Sequence, residues 1–77
     1  MSKKTRLSSD EVILRAKTFF ENNLGLTLAE ETSGCCVEFR SKLGFVKVQA
    51  MEEDKEREIT VSTREYEYQI QEFLKKV

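Results

Sequence analysis

The stretch SGCCVEFRSKLGFVKVQAM, residues 33–51, decides the fold. In it Cys35, Val37 and Phe39 alternate with Cys36, Glu38 and Arg40, and Val46, Val48 and Ala50 alternate with Phe45, Lys47, Gln49 and Met51. A period of two marks an extended chain with one buried face and one open face. Lys42-Leu43-Gly44, between the two runs, offers a turn with a glycine available for positive φ. The spacing predicts strands over 35–41 and 45–51, paired as a hairpin.

The same rhythm continues in both directions. Residues 26–32 read as a weaker strand, turned into the next by Ser33-Gly34. After the charged run 52–56, a solvated hairpin loop in this reading, Ile59 and Val61 alternate with Glu58, Thr60 and Ser62 in a fourth strand, 57–62. Connections this short favour a meander.

Outside the strands the period becomes 3.6. Val12, Ile13, Ala16, Phe19, Phe20 and Leu24 gather on one side of a helix predicted over 9–24. Ser8 and Glu11 form the S-x-x-E capping box, Leu7 and Val12 the staple, and Gly25 the stop. Near the other end Ser62 and Glu65 repeat the box and Val61 and Tyr66 the staple. With Ile70, Phe73, Leu74 and Val77 on one stripe, they predict a helix over 63–76. Residues 1–7 read as a flexible basic lead. The expected architecture is a single small α+β domain, 1–77. It is a two-layer sandwich of α-β-β-β-β-α order, an antiparallel meander with both terminal helices on one face.

Seventy-seven residues suffice for one core. Thirteen basic against fourteen acidic residues leave a net charge of −1, so no global field draws the chain to nucleic acid or anionic membranes. No apolar run approaches the roughly 20 residues of a membrane span, and no apolar signal segment follows the basic Met1 to Arg6. Two adjacent cysteines without a spaced framework fit a reducing compartment, so cytoplasm is the expected location.

Candidate chemistry is sparse. Neighbours on a strand point to opposite faces, so Cys35 is expected in the core and Cys36 as a surface or interface thiol, joined neither to each other nor to a metal. The chain has no histidine to complete a zinc set, and the acidic run lacks calcium-loop spacing. No nucleophile stands beside a base, so no enzyme activity, cofactor or small-molecule ligand is indicated. Leu14 and Tyr68 fall about 200° around their helices from the core residues Val12 and Tyr66, and so face solvent. Together with Phe45, Met51 and Cys36 on the open sheet face, they are the candidate contacts for a protein partner or a second copy in a homodimer.

The element order resembles that of double-stranded RNA-binding domains. Where their second helix presents lysines, however, this chain has Thr63-Arg64-Glu65-Tyr66-Glu67, acidic on balance. The leading reading is a small non-enzymatic binding or protein-interaction module. The alternative is a weak nucleic-acid-binding domain using the arm Lys3, Lys4 and Arg6 with Arg40, Lys42 and Lys47 on the hairpin.

Overall fold

Val37, Val48 and Val61 stand in register across three neighbouring strands, all buried, with Phe39 beside Val46 on one side and Ala50 beside Ile59 on the other. This apolar patch is the inner face of the sheet. The computed structural model describes every residue except Ser33, Asp54 and Lys55, and only the backbone of Glu52 and Glu53. Its elements are β1 (Ser2–Thr5), α1 (Ser9–Lys17) running on as a wider π-helical stretch (Thr18–Asn23), β2 (Thr27–Thr32), β3 (Cys36–Arg40), β4 (Phe45–Glu53), β5 (Glu56–Arg64) and α2 (Glu67–Leu74). The strands form one antiparallel sheet in the order β1-β5-β4-β3-β2. The predicted α+β sandwich and its four-strand meander are therefore present. The tip residues Ser33, Asp54 and Lys55 of two predicted turns lie outside the described residues.

The first departure is at the N-terminus. The expected flexible lead is instead an edge strand, so the full order is β-α-β-β-β-β-α. β1 pairs from Ser2 opposite Thr60 to Thr5 opposite Arg57, and Met1 extends the ladder by exchanging hydrogen bonds with Val61. Its sequence, Ser-Lys-Lys-Thr, shows no hydrophobic alternation. The pairing is a main-chain matter, covering an edge of β5 that would otherwise present unpaired amides and carbonyls.

β1 and β2 run the same way on opposite edges, so the segment joining them must cross the whole sheet. Four strand spacings are about 19 Å, and the nine residues of α1 with the six of its continuation reach roughly that far. Ser8 caps α1 by accepting from the Glu11 amide at 3.1 Å, as the box predicts. The Glu11 carboxylate does not return to Ser8. It takes a hydrogen bond from Arg15 Nε instead. Gly25, at φ 71, ends the helix. Leu26 rather than Leu24 is the buried leucine there.

Both helices lie on the inner face. Val12, Ala16 and Phe20 of the first segment and Ile70 and Phe73 of α2 are fully or almost fully buried with the strand residues. Phe20 joins the layers, its ring centre 5.4 Å from that of Phe39 and 5.2 Å from that of Phe73. Burying one such ring contributes about 1.5–3 kcal/mol.

The second departure is at the start of α2. β5 continues to Arg64, Glu65 takes φ 79, and the helix begins at Glu67 with Tyr66 as its N-cap residue. The Ser62 and Glu65 box is not formed, because Ser62 and Thr63 are still paired with Lys47 and Val46 of β4.

Candidate functional site

Among the described residues, one concave surface with aromatic and cationic lining lies on the helical side and another on the uncovered side of the sheet. On the helical side, the π-helical stretch passes the C-terminal end of α2. Between them lies a groove of about 290 Å³. Phe19 and Phe73 line it, ring centres 5.8 Å apart, and Leu14, 57% exposed, forms one wall. Two cations frame it. Arg15 Nη1 donates to the Lys76 carbonyl at 2.8 Å, and the Lys76 ammonium stands 5.1 Å from the centre of the Phe19 ring. That ring attracts the charge through its quadrupole. The wider turn is itself a feature enriched at functional sites, since an extra residue per turn re-aims side chains.

Leu14 and Tyr68 are the two candidate contacts predicted on the helices. Both residues are exposed, Tyr68 at 69%. Tyr68 lies in the first turn of α2, however, while the groove is built at that helix's far end, from Phe73 and Lys76. The structure brings Leu14 to Phe19 and leaves Tyr68 apart.

Among the described residues no helix packs on the other side of the sheet. The outer face carries Phe45, Lys47, Gln49 and Met51 of β4 in rows with Arg40, Glu38 and Cys36 of β3 and with Arg64, Ser62, Thr60 and Glu58 of β5. Phe45 is half-buried among its neighbours and Met51 is exposed. Arg40, Phe45 and Arg64 occupy one row, two arginines flanking a phenylalanine. At the end of that row the turn 41–44 and Arg64 bound a second cleft, also of about 290 Å³.

Three links fix this corner. The Thr63 hydroxyl donates to the Phe45 carbonyl at 2.8 Å, the Ser41 and Tyr66 hydroxyls are hydrogen-bonded, and Gly44 packs on the Arg64 backbone. A Cβ at Gly44 would overlap the Arg64 carbonyl oxygen, so glycine is required for close approach. Positive φ is not the reason, since only Gly25 and Gly34 among the glycines take it.

The basic residues predicted to act together are divided. Lys3 faces inward, opposite Ile59, and its Nζ donates to the Leu74 carbonyl at 2.6 Å. It caps the negative end of α2 and is not available as part of an arm. Lys4 lies on the outer face opposite Glu58, and Arg6 is exposed beyond β1. Along β5, Glu58 is six residues from Arg64, about 20 Å of strand, so Lys4 and the Arg40 row are separate features. Arg40 donates through Nε to Glu38 at 2.6 Å, while Lys42 and Lys47 are exposed on the hairpin. Arg64 completes the cluster. Sequence reasoning missed it by assigning residue 64 to the helix; the signal was the possible pairing of 62–64 with 45–47.

Cys35 and Cys36 form a vicinal disulfide, against expectation. Strand alternation does not govern Cys35, which precedes β3 and closes a turn by donating to the Thr32 carbonyl. Both residues are half-buried. Among the described residues no three of His, Cys, Asp and Glu gather as a metal set, and no helix is long and apolar enough to cross a membrane.

Compared with known proteins, the chain matches no family model, no curated protein and no solved structure.

Proposed function

We propose that this chain is a small non-enzymatic interaction module that docks on a protein partner through the groove between the π-helical stretch and α2. The observation that carries the reading is the groove's makeup, a floor of the half-buried Phe19 ring backed by the buried Phe73, under a rim formed by Arg15 and Lys76. At about 290 Å³ it lies at the bottom of the roughly 300–1,000 Å³ range of small-molecule sites, which suits one or two side chains better than a cofactor. A cationic rim over an apolar floor complements an acidic segment carrying one large apolar anchor. Helix-in-groove and anchor-residue docking both work in this way, with the anchor supplying most of the affinity.

Selection from a library of displayed twelve-residue peptides tests this. Sequences combining an aromatic or leucine anchor with flanking Asp or Glu are expected, and Leu14→Asp and Lys76→Glu should each abolish their binding. Recovery of sequences with neither feature would remove the reading. Sedimentation across concentration covers the remaining occupant. A dimer dispersed by Leu14→Asp would place a second copy of this chain in the groove.

A further inference from the structure

Four of the cations that the groove does not use, Arg40, Lys42, Lys47 and Arg64, lie at one corner of the uncovered side of the sheet, and they carry a second inference independent of the groove. Arg40 and Arg64 flank Phe45 in one row, each one strand spacing away, so the guanidinium-bearing positions are about 10 Å apart across the ring. Lys42 stands in the turn at the end of that row, and Lys47 lies one row further along β4. Among the described residues, the side chains of Lys42, Lys47 and Arg64 make no ion pair or hydrogen bond, and Arg40 commits only Nε, to Glu38. The nearby carboxylates are Glu38, engaged by Arg40, Glu30 opposite Glu38, and Glu65 after Arg64. Lys42, Lys47 and Arg64, without ion pairs among the described residues, stand with the Arg40–Glu38 pair around one aromatic ring and leave a small local excess of positive charge that the whole-chain charge of −1 conceals.

We infer that this corner binds single-stranded nucleic acid, with the Phe45 ring stacking on a base and Arg40, Lys42 and Arg64 contacting phosphates. The ring is the reason for choosing a single strand, because only an unstacked base offers its face. It is also the reason for preferring nucleic acid to an acidic peptide without an apolar anchor, which would use the cations and leave the ring without a role. The three links around the turn 41–44 and the end of β5 fix the backbone positions that carry these groups before a ligand arrives, which lowers the ordering cost of binding.

The test uses the full chain and a fluorescein-labelled oligothymidylate of about eight nucleotides at low salt. Weak binding is expected, with log K falling against log salt at a slope of about −2, as three phosphate contacts on a single strand require. Amide shifts should concentrate at residues 40–47 and 64. Arg64→Glu, at an exposed position, should weaken binding at least about tenfold with an unchanged circular dichroism spectrum. Phe45→Leu, which keeps an apolar side chain in the row, should weaken it at least about fivefold. No shift at low salt would overturn the inference, as would undiminished binding by both variants or equal affinity for a duplex. A polyglutamate peptide bound as tightly as the oligonucleotide would overturn it in favour of an acidic protein ligand. Leu14→Asp should have no effect on the oligonucleotide, which keeps the fate of the groove separate.

Discussion

Ser8 and Ser62 are each followed three residues later by glutamate and flanked by an apolar pair at staple spacing, yet one opens a helix and the other lies in a strand. At Ser8 nothing competes for the backbone, because β1 has ended at Thr5 and the chain is free to turn. The serine hydroxyl then accepts from the Glu11 amide and the helix follows. At Ser62 the competitor is β4. Lys47, Val46 and Phe45 offer three more rungs of ladder to Ser62, Thr63 and Arg64, and the strand takes them. A cap contributes about 1 kcal/mol, whereas a continued ladder satisfies several main-chain groups at once. The tertiary pairing therefore wins, and the helix is deferred to Glu67. The consequence reaches function, since those three extra residues carry Arg64 out of the helix and into the row with Phe45 and Arg40.

The largest expected effect comes from removing what allows β5 to run on. In Gly44→Ala the new methyl would overlap the Arg64 carbonyl oxygen, and the obstacle is backbone, which cannot rotate aside. A loss of about 2 kcal/mol or more is expected in urea unfolding, within the range for forced backbone shifts. Full stability in this variant would break the comparison, because the turn 41–44 would then not be what holds the end of β5. Ser8→Ala comes next. It should cost about 1 kcal/mol by the same measurement, the usual worth of a side-chain cap.

Glu65 supplies a change of opposite sign. Its φ of 79 is the bend between β5 and α2, a conformation costly for a residue with a Cβ and free for glycine. Glu65→Gly should leave the protein unchanged or raise its stability by up to about 1 kcal/mol, the relief of strain being partly offset by the looser unfolded chain. A clear loss would place the bend elsewhere and return Ser62 to candidacy as a cap.

What was legible in the residues follows the same division. The inner face was readable because Val37, Phe39, Val46, Val48, Ile59 and Val61 repeat at period two and burial alone selects them. The N-terminal helix was readable because its cap and its stop are local. β1 was not, since Ser-Lys-Lys-Thr is held by main-chain bonds to β5 and only Thr5 is buried. The groove was half readable. Leu14 announced itself as an exposed leucine, but Phe19 looked like core and nothing in the pattern signals the widening of the helix after Lys17. The basic corner was misread for a reason of sequence distance. Arg40 and Lys42 are near neighbours of Phe45 along the chain, whereas Arg64 arrives only through β5 pairing, and Lys3 leaves the set by turning inward to Leu74.

Ser62→Ala has the smallest expected effect and is the sharpest discriminator. If Ser62 is a strand residue on the open face, its exposed hydroxyl touches nothing that folding depends on, and the change should fall within about 0.5 kcal/mol of the parent. If it served as a cap, the cost would match that of Ser8→Ala, because the two sites share the S-x-x-E spacing. Measured side by side in urea, two serine-to-alanine changes thus separate a helix start from a strand end. Equal losses at both would mean that β5 stops before Arg64. The row Arg40, Phe45, Arg64 would then dissolve, and with it the proposed nucleic-acid corner, while the groove at Leu14 and Phe19 would stand.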